Sequence, residues 1–330
     1  ASLTTDQISA LTTDQIAALE TVDLQSLTST QIRALKTDQL VKLNADQIVA
    51  LSTAQVVSLT TGQIYALTTD QIAAMENADL GSLTSTQIRA LKTDQLVKLS
   101  TSQVVALSTA QVASLTTDQI SALTIDQIAA LETVDLQSLT STQIRALKTD
   151  QLVKLDPGQV VALSTAQVAS LTTDQISALT TDQIAAMENA DLRSLTSTQI
   201  RALKTDQLVK LSDDQISAMS TGQVAALTTT QLTALTTSQF VALTSAQFAA
   251  LTTAQISALT TDQIAAIQIE DVSALKASSL QTRQLVKLST GQIVALSTAQ
   301  VASLTTDQIS ALTTDQIGAM ENADLRSLTS

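Results

Sequence analysis

The side chains that could do chemistry here are few and of narrow kind. The 330-residue chain has 30 Asp and Glu against 17 Lys and Arg, with no His and no Cys. A zinc site of ordinary type, an imidazole base and a thiol nucleophile are therefore excluded. Two carboxylate pairs, Asp213-Asp214 and Glu270-Asp271, have the composition of an acid–base couple. Both fall at predicted helix starts, where capping and the helix dipole favour acidic residues on structural grounds. No Gly-rich phosphate loop and no calcium loop of EF-hand or nonapeptide type occurs. We assign no catalytic, cofactor-binding or metal-binding residue, and expect that the protein is not an enzyme and needs no cofactor. What remains is a dense supply of Ser and Thr hydroxyls. Repeated outward on a surface, they suit O-linked glycans, contact with a sugar, or ordered water.

Those hydroxyls sit at fixed places in an eight-residue repeat, first seen as Leu3-Thr4-Thr5-Asp6-Gln7-Ile8-Ser9-Ala10. Numbered from its leucine, position 1 is Leu, occasionally Met or Ile, and position 6 is Ile, Val, Leu or Phe. Position 5 is Gln, replaced by Asp at Asp23, Asp79, Asp135, Asp191, Asp271 and Asp324. Thr4 to Gln7 fits the capping box, with Thr4 as N-cap and Gln7 as its partner at N3. Thr12 with Gln15, and Asp156 with Gln159, repeat the arrangement. Leu3 and Ile8, then Leu11 and Ile16, form hydrophobic-staple pairs and are the expected core. Asp6 at N2 suits the dipole. Pro157, the only proline, lands on N1, where its missing N–H costs nothing.

The pattern predicts an all-α solenoid of about forty short capped helices, one per octad. Each helix is expected to end as the chain turns extended at the next Thr. A single continuous helix would rotate the apolar positions by about 80° per octad, leaving no stripe. A β-solenoid, the alternative fold, needs apolar residues of one parity, whereas positions 1, 6 and 8 mix parities. A helix of about seven residues does not persist alone in water. Each unit must be held by its neighbours, as in quasi-one-dimensional repeat proteins. With 44% hydrophobic but 1% aromatic residues, the burial falls to Leu, Ile, Val and Ala.

The octad frame runs from the first residues to 274, slips over the five-residue unit 275–279, and resumes over 280–330, one architecture throughout. A kink or seam is expected at the slip. A longer period of seven octads brings the segment beginning at Glu20 back at Glu76, Glu132 and Glu188. Block duplication accounts for it; a recurring lateral contact through Glu20, Arg33, Lys36 and Lys42 is the sharper reading. Lys36 and Glu20 occupy the N-cap slot and should weaken their helix starts. Phe240 and Phe248 keep the position-6 register and read as core, while Tyr65 at position 7 reads as exposed.

The net charge of −13 opposes binding to nucleic-acid backbones and to anionic membrane surfaces. No apolar run approaches the eighteen or so residues of a membrane span. The chain starts without an initiator Met and both ends fall inside an octad, as in a processed chain or a window from a longer one.

The tract Leu-Thr-x-x-Gln-Ile/Val-x-Ala-Leu, as at Leu3 to Leu11, resembles the repetitive segments of large bacterial secreted or cell-surface proteins of adhesin type. That resemblance implies an extracellular, fibrous or adhesive role. The octad is also similar to the first helix of the DNA-reading repeats of plant-pathogen effectors. The chain lacks their longer repeat, their paired base-reading position and their positive balance. The expected function is a structural one: a bacterial extracellular filament or sheath subunit, or a rigid surface spacer, with itself as partner. The alternative is a binding module, an adhesin arm contacting a glycan or protein ligand.

Overall fold

The computed structural model describes residues 3–328. The incomplete octads at the two termini reach into residues 1–2 and 329–330, outside the described residues. Among the described residues forty α-helices of four to six residues follow one another from α1 (Thr5–Ala10) to α40 (Asn322–Ser327), with one 3-10 turn, η1 (Ala277–Ser279). No strand occurs among the described residues, and no helix among them is long and apolar enough to cross a membrane. The fold is an all-α solenoid. Contacts divide it into two compact units, one ending at Leu171 and one beginning at Thr172.

Each helix is set by its cap. The Thr4 hydroxyl accepts from the Gln7 amide at 3.2 Å, and Gln7 Oε1 accepts from the Thr4 N–H at 2.8 Å. After α1 the chain leaves the helix one residue earlier than the pattern predicts. Leu11 is already extended (φ −61°, ψ 144°), and Thr12 after it stays so (φ −72°, ψ 160°). Two extended residues therefore turn this helix into the next without a left-handed residue: no described residue has positive φ.

Within the first unit α1 packs on α4 (Ser29–Ala34), and α4 on α7 (Thr53–Ser58). In the second, α25 (Ser197–Ala202) packs on α28 (Thr221–Ala226), and α28 on α31 (Ser245–Ala250). The turn is fixed more finely by the position-5 glutamines. Gln39 Nε2 donates to the carbonyls of Leu11 at 2.6 Å and Ile8 at 3.1 Å, which lie 28 and 31 residues back. Gln127 does the same to Leu99 and Leu96, and Gln239 in the second unit to Leu211 and Leu208. Each Gln thus rides over the joint between two helices of the preceding turn. Helices three octads apart lie on one another, and the glutamine side chains reach a little further, 28 residues back.

Position 6 and position 1 fill the space between turns: Ile32 is 0% and Leu35 3% exposed. The five-residue unit 275–279 takes a place in this stack. η1 puts Ala277 in the buried slot, and Leu275 and Leu280 are buried on either side. Across it Gln284 reaches back only 25 and 28 residues, to Leu259 and Ile256. By Gln308, which bonds Leu280 and Ala277, the spacing of 28 and 31 has returned. The shortening comes out of the connection, and the inter-turn bonds survive.

Candidate functional site

The residues singled out by the sequence divide into those that build the stack and those that face solvent. Thr12 and Gln15 form the same reciprocal pair as Thr4 and Gln7, at 3.2 and 2.8 Å. Asp156 Oδ1 accepts from the Gln159 amide at 2.8 Å, with Pro157 at N1. Ile8 and Ile16 are fully buried. Leu3, expected in the core, is instead 41% exposed, and Leu11 is half-buried. Position 1 is covered by the preceding turn, and the first three octads have none against them in this chain. Leu3, Leu11 and Leu19 accordingly rim an open hollow floored by Ile8.

Lys36 does not break its capping box entirely. Its N–H still donates to Gln39 Oε1 at 2.7 Å, and the neighbouring Asp38 carboxylate replaces the missing hydroxyl by accepting from the Gln39 amide at 3.0 Å. Asp150 and Asp206 do the same behind Lys148 and Lys204. Glu20 makes no side-chain cap.

Glu20, Arg33, Lys36 and Lys42 are all exposed, but they do not share a face. They stand on successive octads: Glu20 at the start of the helix Thr21–Ser26, Arg33 within α4, and Lys36 at the start of the helix Thr37–Leu40. Arg33, Lys36 and Lys42 recur as Arg89, Lys92 and Lys98 in the next seven-octad block. Tyr65 is 58% exposed, and Lys92 Nζ sits 5.1 Å from its ring centre. Phe240 and Phe248 meet edge to face inside the second unit, 5.3 Å between centres.

The carboxylate pairs serve structure. Asp213 takes a hydrogen bond from the Ser238 hydroxyl across a turn. Asp271, 4% exposed, takes one from Ser245 at 2.5 Å. No group of three or more Asp or Glu is arranged to hold a metal ion among the described residues.

The sequence profile of the ALTTAQ repeat matches in eleven successive stretches: 1–21, 16–53, 48–76, 72–109, 105–133, 128–165, 152–189, 184–221, 216–253, 241–277 and 277–314. The chain belongs to the ALTTAQ repeat family. Neighbouring matches overlap by several residues along the array, except at Ala277, where two merely meet. The family frame is thus interrupted where the 3-10 turn replaces an octad. No curated protein matches the chain.

Sequence reasoning missed the second function of the ALTTAQ glutamine. The capping box needs only its oxygen, which Glu would supply equally. Yet Glu never stands at position 5, because the same side chain must also donate to two carbonyls of the turn before. That exclusion was the readable signal. Where Asp stands instead, the donor is lost and another turn supplies it to the carboxylate. Thr53 donates to Asp79 at 2.8 Å and Thr298 to Asp324 at 2.9 Å. Asp135 Oδ1 is buried without a partner.

Proposed function

We propose that this ALTTAQ array is a structural element, a stiff spacer or filament subunit working outside the cell that makes it. The observation that supports this is the continuity of the glutamine bonds between turns. In each unit most octads are tied by their glutamine to carbonyls of the turn before, at position 1 and at position 6 or 7. A stack so cross-tied resists bending and opens only by breaking several buried hydrogen bonds together. The adhesin-like octads point to the surface of a bacterium as the place where such an element serves.

A glycan-contacting arm is the second reading, and the Ser- and Thr-rich faces motivate it. Several of their hydroxyls are already committed: Ser29, Ser85 and Ser141 donate to the carbonyls of Ala54, Ala110 and Ala166 at 3.1 to 3.3 Å. That engagement favours the structural reading. Electron microscopy of the purified chain over a dilution series, with small-angle X-ray scattering on the same samples, tests it. Uniform fibres, or single particles of fixed length and stiffness, are expected. A flexible particle whose dimensions vary widely would overturn it. Antibody labelling of intact producing cells tests the location, and label seen only after lysis would rule out the surface.

A further inference from the structure

A glutamine amide at a buried joint serves two backbone groups at once. Gln127 Oε1 accepts from the Thr124 N–H at 2.8 Å, while its Nε2 donates to the Leu99 carbonyl, 28 residues back, at 2.7 Å. The next octad carries Asp135 in the same place. Its helix, α17 (Thr133–Ser138), still packs on the turn before, against α14 (Thr109–Ala113). The backbone starts alike in the two octads: Glu132 (φ −71°, ψ 155°) matches Thr124 (φ −70°, ψ 161°). Asp is shorter than Gln by one methylene, so its head group stops short of where the amide stands. Among the described residues the Glu132 N–H then finds no acceptor, and the Leu107 carbonyl, 28 residues before Asp135, finds no donor. Asp135 itself is 2% exposed, with Oδ1 unpartnered. The same two backbone groups are unpartnered around Asp79, as the Glu76 N–H and the Leu51 carbonyl. In the second unit they recur around Asp324, as the Glu321 N–H and the Leu296 carbonyl.

In the glutamine joints the corresponding N–H and carbonyl both lie within hydrogen-bond reach of one amide. At Asp135 one donor and two acceptors therefore border the amide's place. A cation there would meet the Glu132 N–H, and an anion would meet the carboxylate and the carbonyl, so each is opposed by part of the set. A small neutral molecule with one acceptor and two donors suits all three groups, and water is that molecule. It accepts from the Glu132 N–H, donates one hydrogen to the Leu107 carbonyl and gives the other to Asp135 Oδ1. Three bonds are the usual complement of a buried water. Holding it costs less than leaving two backbone groups and a carboxylate unpaired. The Thr53 hydroxyl serves the Asp79 carboxylate at 2.8 Å. It leaves the N–H and the carbonyl of that joint unserved, so the need for water is the same there.

We propose that each buried position-5 Asp marks a hydrated joint, in which a bound water molecule takes the place of the glutamine amide and at which the turns part first. In the first unit Asp79 and Asp135 stand one seven-octad block apart, so the block sets such joints at a fixed interval. Amide hydrogen exchange of the full chain, read residue by residue, tests the proposal together with a crystal structure that shows ordered water. Protection of the Glu132 N–H is expected to be at least about tenfold lower than that of the Thr124 N–H. A water is expected within hydrogen-bond distance of Glu132 N, Leu107 O and Asp135 Oδ1. Asp135→Gln should displace that water and raise the protection of the Glu132 N–H to the level of Thr124. The N-cap side chain is no obstacle, since the Lys36 N–H reaches Gln39 Oε1 at 2.7 Å. Asp135→Asn keeps the short side chain and should keep both the water and the low protection. Asp79→Gln repeats the test at a second joint should the first variant fail to fold. Equal protection of the two N–H groups in the native chain, a joint that is dry or holds a metal ion, or low protection persisting in the Gln variants would each overturn the proposal.

Discussion

Gln127 serves two turns with two atoms. Its Oε1 accepts from the Thr124 N–H at 2.8 Å, and its Nε2 donates to Leu96 and Leu99 of the turn before, with the side chain only 2% exposed. Gln127→Glu keeps the acceptor, removes the donor, and turns a carboxylate toward two buried carbonyls. A loss of at least about 1–3 kcal/mol is expected, read as a lower urea midpoint. Gln15 caps its helix identically but is exposed and bonds no carbonyl of another turn among the described residues. Gln15→Glu should therefore change stability by less than about 0.5 kcal/mol. Equal losses at the two sites would show that capping, rather than the bond between turns, makes position 5 selective. The converse case is Asp135, 2% exposed with Oδ1 unpartnered. Asp135→Asn removes an uncompensated buried charge and should stabilise by about 1 kcal/mol. Asp79→Asn should give less, because the Thr53 hydroxyl already serves that carboxylate. The capping half of this chemistry was readable in the Thr-x-x-Gln spacing itself. The donor half left one trace, the absence of Glu from position 5, but its partners stand a whole turn away and no local pattern names them.

Single helices this short exist only because both ends are managed. The start is handled by the capping pair and the end by extended residues that become the next start. The N1 amide has no acceptor to find within its own helix, so the position-3 Thr is the natural place to remove a donor. Asp156-Pro157 already does so. Thr117 is exposed at N1 of its helix, and the residue before it is extended (φ −76°, ψ 164°), as a residue before proline prefers. Thr117→Pro should stabilise by about 0.4–1 kcal/mol through the unfolded chain, visible as a raised melting temperature. A loss of that size or more would mean that the Thr117 N–H or side chain has a role in the stack that its exposure does not suggest. The helix starts were legible because the caps spell them out, whereas the ends vary, from Ala10 at position 8 of its octad to Leu40 at position 6 in the helix Thr37–Leu40. The fate of the five-residue unit at 275–279 was not. Its sequence shows the slip, but whether a slip kinks the chain or is absorbed depends on whether Ala277 can stand where a larger aliphatic side chain stands elsewhere.

At the scale of the first unit, two periods coexist. Folding needs only the octad, since glutamines such as Gln39 and Gln127 find the same kind of joint 28 residues back. The block of seven octads was plain in the sequence, but the helices stack three octads apart, and seven is no multiple of three. The turn length was not legible, because it follows from how positions 1 and 6 pack between layers, and no propensity encodes that. The two periods can be separated by deletion. Removing the octad Met75–Ser82 leaves every joint of the same kind, so helicity per residue should be unchanged and the melting temperature should move by no more than about 2–4 °C. Removing the whole block Leu43–Lys98 should likewise leave helicity per residue unchanged. A loss of helicity on the single-octad deletion that the block deletion does not show would mean that the stack is built on the block of seven and not on the octad.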